Sequence, residues 1–176
     1  EYIHSIPKFN RVLGNALLEK LLNKMGNPQD NLKFIHIGGT NGKGSTCTMV
    51  SQILTEAGYK TGLFTSPFLK FFNERIKING IPISNSDLAD IASYVKNMTE
   101  KYDAFVSEFA FDTAVAFEYF NRQNCDFVIL EVGLGGKLDA TNIIKNPLVV
   151  GFTAIGLDHC QYLGNTIDEI SKEKAG

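Results

Sequence analysis

The stretch Phe34-Ile-His-Ile-Gly-Gly-Thr-Asn-Gly-Lys-Gly-Ser-Thr46 decides the fold. A short apolar run, Phe34 to Ile37, breaks into Gly38-Gly39, passes through Thr40-Asn41-Gly42 and reaches Lys43. Beyond it, Val50, Ile53, Leu54 and Ala57 fall on one face of a helix expected over 43–57. A strand over 33–38, a glycine-rich turn, a lysine, a hydroxyl and a helix follow one another in an order that suits a polyphosphate. Glycines let backbone N–H groups approach phosphate oxygens, and the helix N-terminus adds positive potential. Lys43 supplies a point charge, and Ser45 or Thr46 a hydroxyl for a bound Mg²⁺. The spelling departs from the usual G-x-x-x-x-G-K-[ST] loop: Ile37 stands at the first glycine and Gly44 separates Lys43 from Ser45. A glycine-rich turn alone is only a turn. The strand before it and the helix after it make it a phosphate site.

Working outward, residues 10–25 carry Leu13, Leu17, Leu18, Leu21, Leu22 and Met25 at helical spacing, and Gly26 and Pro28 stop that helix. Lys60–Phe64 reads as the next parallel strand, ended by Thr65-Ser66-Pro67 at the edge that carries the phosphate loop. Ile76–Ile78, Asn79-Gly80 and Ile81–Ile83 spell a hairpin, because Asn-Gly tolerates the positive φ of a type I′ turn. Ser86 is the expected N-cap of a helix that turns Leu88, Ile91, Ala92, Val95 and Met98 inward. Residues 108–121 are apolar nearly all round, so that helix is expected to be buried. Asp126–Glu131 and Leu148–Phe152 are continuous apolar runs of the kind found in central parallel strands, and Thr166–Lys174 closes the chain as a helix. Strands alternating with helices imply a doubly wound, mostly parallel α/β sheet with a small β-hairpin insertion. Its site belongs at the C-terminal edge of the strands.

Composition narrows the field further. The chain of 176 residues has room for a sizeable core, and a net charge of −2 argues against a general nucleic-acid binder. Cys47, Cys125 and Cys160 are an odd, widely spaced set, which suits reduced thiols and a cytoplasmic setting. No apolar run approaches the roughly 20 residues of a membrane helix, so no membrane partner is expected.

Several side chains fall at the expected site edge. Glu131 ends a buried strand beside the phosphate loop, where a carboxylate holds Mg²⁺ directly or through water; the alternative is a strand-end charge facing solvent. His159 follows the strand 148–152 and is either structural or a metal ligand, with Asp158 placed to orient it. Ser66 is a turn hydroxyl before proline, Arg75 a solvated charge or an anion clamp, and Lys174 a surface lysine on a terminal helix. Gly133, Gly135 and Gly136 form a tight turn, while His36 in its strand and His4 in an irregular N-terminal arm read as structural.

Gly39-Thr-Asn-Gly-Lys-Gly-Ser45 resembles the phosphate loop of the Mur ligase superfamily, and within it that of the folylpolyglutamate synthase/dihydrofolate synthase family. Further stretches are similar to that family in the same order: Thr65-Ser-Pro-Phe-Leu69, Phe72-Asn-Glu-Arg-Ile76, Leu130-Glu-Val-Gly-Leu-Gly-Gly136, Leu138-Asp-Ala-Thr-Asn142, Leu157-Asp-His159 and Glu173-Lys-Ala-Gly176. The resemblance implies a Mur-ligase-type ATP-binding domain, with residues 1–176 an incomplete N-terminal portion and a C-terminal domain beyond it. It implies ATP and Mg²⁺ as cofactors, with Thr40, Asn41, Gly42, Lys43, Gly44, Ser45 and Thr46 on the nucleotide. Metal ligands would be Ser66, Glu131 and His159, and catalytic residues Lys43, His159 and Lys174, the last in the place of a lysine that becomes carbamylated. Leu138, Asp139 and Ala140 would contact a pterin, as would the region Ser107–Ala110, whose spelling departs most from the family pattern.

The implied activity is ATP-dependent addition of L-glutamate to dihydropteroate or folates through an acyl phosphate, by a monomer. Rival readings are a Mur-type ligase acting on a cell-wall precursor and an ATP-binding module without ligase chemistry. The 176 residues alone are expected to bind nucleotide weakly and not to ligate, with Lys174 too mobile to hold a carbamate.

Overall fold

The computed structural model describes residues 2–8 and 14–176. Its central strand is β5 (Phe127–Glu131), whose last four residues are buried. A strand shielded on both faces needs apolar side chains throughout, which the sequence Phe-Val-Ile-Leu supplies. The strands β1 (Phe34–Gly38) and β2 (Thr61–Phe64) lie parallel on its two sides. Past β2 run the antiparallel β3 (Ile76–Ile78) and β4 (Ile81–Pro82); past β1 runs the parallel β6 (Val149–Phe152). The order is β4-β3-β2-β5-β1-β6. At the hairpin turn, Asn79 and Gly80 have φ of 49° and 76°, the pair of positive values that a type I′ turn requires.

Helices cover both faces. On one, α1 (Tyr2–Ser5), α2 (Ala16–Lys24), α4 (Asn85–Lys101) and α5 (Glu108–Arg122) share a core with Phe34, Phe64, Ile76, Val128 and Leu130 of the sheet. The middle of this layer is α5, buried from Ala110 to Phe120. On the other face α3 (Lys43–Glu56) packs Cys47, Val50 and Leu54 against Ile35, Ile37, Leu63 and Ile129. The short α6 (Cys160–Leu163) and α7 (Ile167–Ala175) follow β6. The three cysteines carry no disulfide, and among the described residues no helix is long and apolar enough to cross a membrane.

Several expectations shift. The helix expected over 10–25 starts at Ala16, and residues 10–13 lie outside the described part. Ser84, not Ser86, caps α4: Ser84 has the extended ψ of 155°, and its Oγ accepts the Asp87 N–H at 3.0 Å. On α3 the buried line runs through Cys47, Val50, Ser51 and Leu54, while Ile53 is 67% exposed and Ala57 faces solvent. The helix lies over β1, β2 and β5, and the small Ser51 meets the sheet where periodicity placed Ile53. Apolar as it is, β6 is the edge strand of the described sheet, with Val149, Val150 and Phe152 about half exposed.

Candidate functional site

At the end of β1 the chain needs backbone that only glycine adopts freely. Gly39 has φ 134° and a Cβ there would run into the Thr153 side chain; Gly42, at φ 85°, starts α3. Between them Thr40 fixes the loop to the segment after β6. Its N–H donates to the Ala154 carbonyl at 2.8 Å, and its Oγ1 donates to the Gly156 carbonyl and accepts the Gly156 N–H. The Asn41 N–H also goes to Ala154, at 3.3 Å. Thr40 and Asn41 thus spend these groups inside the protein. The Thr46 hydroxyl donates back to the Gly42 carbonyl at 2.9 Å, whereas Ser45 is exposed. What the loop offers outward is the first turn of α3, whose leading N–H groups have no intrahelical carbonyl to bond. Lys43 Nζ, 3.1 Å from the Thr40 carbonyl, lies over the same loop.

Directly beneath that helix start is Glu131, at the end of β5 and only 4% exposed. A Cβ on Gly44 would stand 3.5 Å from Glu131 Oε2. That oxygen accepts the Ser66 N–H at 2.9 Å, so the turn after β2 and the end of β5 meet. Burial pushes the Glu131 carboxyl up, against the Ser66 N–H, the charges of Lys43 and Arg75 and the Gly44 N–H, which pull it down. A buried carboxylate at the strand end, next to a serine and beneath the phosphate loop, fits a divalent cation. Among the described residues no three His, Cys, Asp or Glu side chains are grouped to cage a metal. Mg²⁺ needs no such cage: one or two carboxylates suffice when phosphate oxygens and water complete its shell.

His159 is placed differently. It sits at the start of α6 in a left-handed conformation, its side chain 52% exposed, and its ring Nε2 lies 3.7 Å from its neighbour Asp158. The structure brings Ser66 and Glu131 into contact and gives His159 a solvent-facing position on the segment that follows β6.

Lys174 is expected to be mobile, yet it has a partner within the fold: its Nζ donates to the Gly39 carbonyl at 2.9 Å. Thr166 and Glu169 form a capping box that starts α7, and the Lys137 N–H donates to the Glu173 carbonyl at 3.0 Å. A Cβ on Gly136 would collide with the Lys174 carbonyl, so that glycine serves close packing of α7. Burial lowers the Lys174 pKa and the nearby Lys43 lowers it further, while Asp158 and Asp139 raise it.

Beside these groups opens a cavity of about 690 Å³, whose wall includes Asn15, Ser66, Phe109, Leu134, Leu138 and Asp139. Phe109 stacks on Phe64 with ring centres 5.6 Å apart and presses on Gly133, where a Cβ would stand 2.6 Å from the ring. Leu138 is half exposed and Ala140 buried. The Asp139 carboxylate is engaged internally: one oxygen accepts the Gly133 and Leu134 N–H groups, the other the Thr141 N–H and hydroxyl. It fastens the glycine turn, leaving Leu138 as the exposed side chain of that trio. His36 Nε2 lies 2.8 Å from Thr141 Oγ1, and burial lowers its pKa to about 4, in keeping with a structural histidine. Arg75 is not a solvated charge: its side chain is 14% exposed, pairs with the buried Asp112 of α5 and belongs to the cavity wall. Asp112 escaped the sequence reading, because a polar residue on a helix shows its inward direction only once the helix is packed.

A glycine-rich loop running into a helix, above a buried acid at the end of the adjacent strand, defines a P-loop nucleotide-binding α/β domain. Residues 37–176 match the Mur ligase middle domain, and the chain belongs to that family. It is 44% identical to the dihydrofolate synthase/folylpolyglutamate synthase of Bacillus subtilis, over 99% of this chain and 42% of that protein. It is 41% identical to the folylpolyglutamate synthase of Lacticaseibacillus casei, with the same coverage. A solved complex of FPGS with AMPPCP and folate superposes with a TM-score of 0.94 at 40% identity, over 99% of this chain and 44% of the other. The chain spans less than half the length of each of these relatives.

Proposed function

We propose that this chain is the nucleotide-binding part of an ATP-dependent carboxylate–amine ligase that adds L-glutamate to dihydropteroate or a folate. The observation that carries the reading is one of placement. The phosphate loop, the Ser66–Glu131 contact and Lys174 open at one sheet edge beside a cavity large enough for a heteroaromatic substrate. Its relatives named for dihydrofolate and folylpolyglutamate synthesis supply the substrate class.

A carboxylate is a poor acyl donor until its oxygen becomes a leaving group. Transfer of the ATP γ-phosphate to the substrate carboxylate gives an acyl phosphate, which the glutamate amine attacks; the tetrahedral intermediate then expels phosphate. The first-turn N–H groups of α3, from Gly42 to Ser45, and the Lys43 ammonium hold phosphate oxygens and neutralise charge as it moves. Glu131 and the Ser66 hydroxyl would hold Mg²⁺, which when bound shields the nucleotide's negative charge. His159 would approach that cation from the segment after β6. Burial and the nearby Lys43 lower the Lys174 pKa, the direction that favours carbamylation, and a carbamate there would carry a negative charge to the loop. Leu138, Phe109 and Ala140 form an apolar seat for a pterin ring. We assign the remaining domain, the glutamate contacts, a cytoplasmic setting and a monomeric state on the same footing.

ADP release by the full-length protein tests the reading, with glutamate and dihydropteroate, tetrahydrofolate or a cell-wall precursor as the carboxylate. Stimulation by the first or second compound supports it. Stimulation by the cell-wall precursor alone, or ADP release indifferent to every carboxylate, overturns it.

A further inference from the structure

The segment between β2 and β3, residues 65–75, closes around its own arginine. The Glu74 carboxylate accepts the N–H groups of Leu69, Lys70 and Phe71 at 2.9, 3.1 and 3.0 Å. The Arg75 carbonyl accepts the Thr65 N–H at 3.0 Å, joining the two ends of the segment. Within this ring the Arg75 guanidinium stands 5.2 Å from the centre of the Phe68 ring and 5.9 Å from that of Phe72. Its Nε faces α5, 3.7 Å from Asp112 Oδ2. His4 caps the outside, its ring 6.3 Å from Phe68 and 5.9 Å from Phe72, with Nδ1 3.1 Å from Glu108.

Asp112 and Arg75 both belong to the cavity wall, but the Asp112 side chain is 1% exposed and its carboxylate faces Arg75, so it acts on the site through that residue. As a stabilising device the pair is poor. Among the described residues neither Asp112 oxygen, nor Nε and Nη1 of Arg75, has a hydrogen-bond partner. Desolvation of two such charges offsets most of their attraction, and an apolar pair of equal volume would pack as well. What the pair supplies is direction, because a planar guanidinium set between two rings and a buried carboxyl group has little freedom left.

We propose that Asp112 is a positioning residue: from within α5 it holds Arg75, and through Arg75 it holds the loop that presents Ser66 to Glu131. Each link is short. The Asp112 carboxylate faces the Arg75 side chain, the Arg75 carbonyl holds the Thr65 N–H, and the next N–H, that of Ser66, meets Glu131 at 2.9 Å. The proposal rests on the reading of Ser66 and Glu131 as a divalent-cation site.

The test uses the full-length protein with a non-hydrolysable ATP analogue, and counts bound Mn²⁺, a stand-in for Mg²⁺, by electron paramagnetic resonance. Asp112→Asn and Asp112→Leu weaken Mn²⁺ binding about tenfold, in the range found when residues that orient metal ligands are changed. Asp112→Glu, which restores the carboxylate, recovers most of the affinity. Glu131→Gln separates the two readings: if it leaves Mn²⁺ binding intact, the cation site itself is wrong. If Glu131→Gln abolishes binding while Asp112→Asn retains wild-type affinity, the positioning role alone falls. A lower melting temperature in Asp112→Asn with unchanged Mn²⁺ affinity also overturns it, since that is what a merely structural residue would give. Should the Asp112 variants not fold, Phe68→Leu removes one ring from Arg75 at the loop itself. It is expected to weaken Mn²⁺ several-fold, and an unchanged constant refutes the proposal.

Discussion

The Lys43 ammonium already rests on the Thr40 carbonyl, so its charge lies over the loop before any phosphate arrives. Lys43→Ala removes a pre-placed donor with little strain on the fold, because Lys43 sits at the first position of α3. Turnover, followed as ADP release, should fall by roughly 10²–10³-fold with an unchanged circular dichroism spectrum; near-normal turnover at saturating ATP would remove the phosphate-loop assignment. His36 makes a prediction about pH. Burial holds its pKa at about 4, below the ordinary 6.5, so between these values the unfolded chain binds a proton that the folded one refuses. Its contribution is complete above pH 6.5 and is lost as pH falls toward 4, about 2–3 kcal/mol in all. Asp112 opposes it. Burial raises that acid from 3.8 to about 7, so the folded state keeps a proton there and loses stability as pH rises through that window. Urea unfolding at pH 7 and pH 4.5 isolates the histidine: wild type should lose about 2–3 kcal/mol more than His36→Gln between the two. Equal losses would mean that His36 titrates normally.

At the level of single elements, α7 shows how a helix cap reaches a site. Thr166 and Glu169 exchange hydrogen bonds across its first turn, and the Lys174 ammonium at its far end reaches Gly39. Thr166→Ala should destabilise this helix by about 1 kcal/mol. It would show as faster hydrogen exchange in residues 167–175 with little change in the core of α5; uniform exchange would place the cap outside the stability of α7. Elements of this kind were legible from sequence because their signals are local. Thr166 lies three residues before Glu169, Asn-Gly lies between two apolar runs, and the glycines stand between strand and helix. The cap of α4 was misread because Ser84 and Ser86 both have the right chemistry, and only the extended backbone at Ser84 chooses between them. Arg75 was left open for a related reason. Its partner lies on α5, 37 positions on in the numbering, and no periodicity announces an inward Asp in a helix that is buried all round.

At the scale of the whole molecule, what the sequence conveyed well was the layer plan, since apolar runs alternating with helices leave few arrangements. It conveyed the sheet border poorly. Leu148–Phe152 has the composition of a central strand, yet in the described sheet its outer edge has no partner and Leu148, Val149 and Val150 are each more than half exposed. An apolar edge of this sort invites strand addition. The 176-residue chain, examined alone by sedimentation at rising concentration, should self-associate, and Val150→Lys should leave it monomeric. Association that survives Val150→Lys would locate the sticky surface elsewhere, the exposed Met49 and Ile53 of α3 being next.

The bond from Lys174 to Gly39 also has a meaning in time. A ribosome makes the chain from its beginning, so the loop at Gly39 emerges long before the lysine that closes over it. The same holds for β1, whose neighbours Val128 and Val149 are the partners of Phe34 and Ile35. Until β5 has been made, β1 has neither flanking strand; until Ala154 follows, Thr40 has nothing to hang from. The phosphate loop is therefore translated well before the segments that fix it in place. A nascent chain has no finished nucleotide seat to offer until Lys174 has left the tunnel.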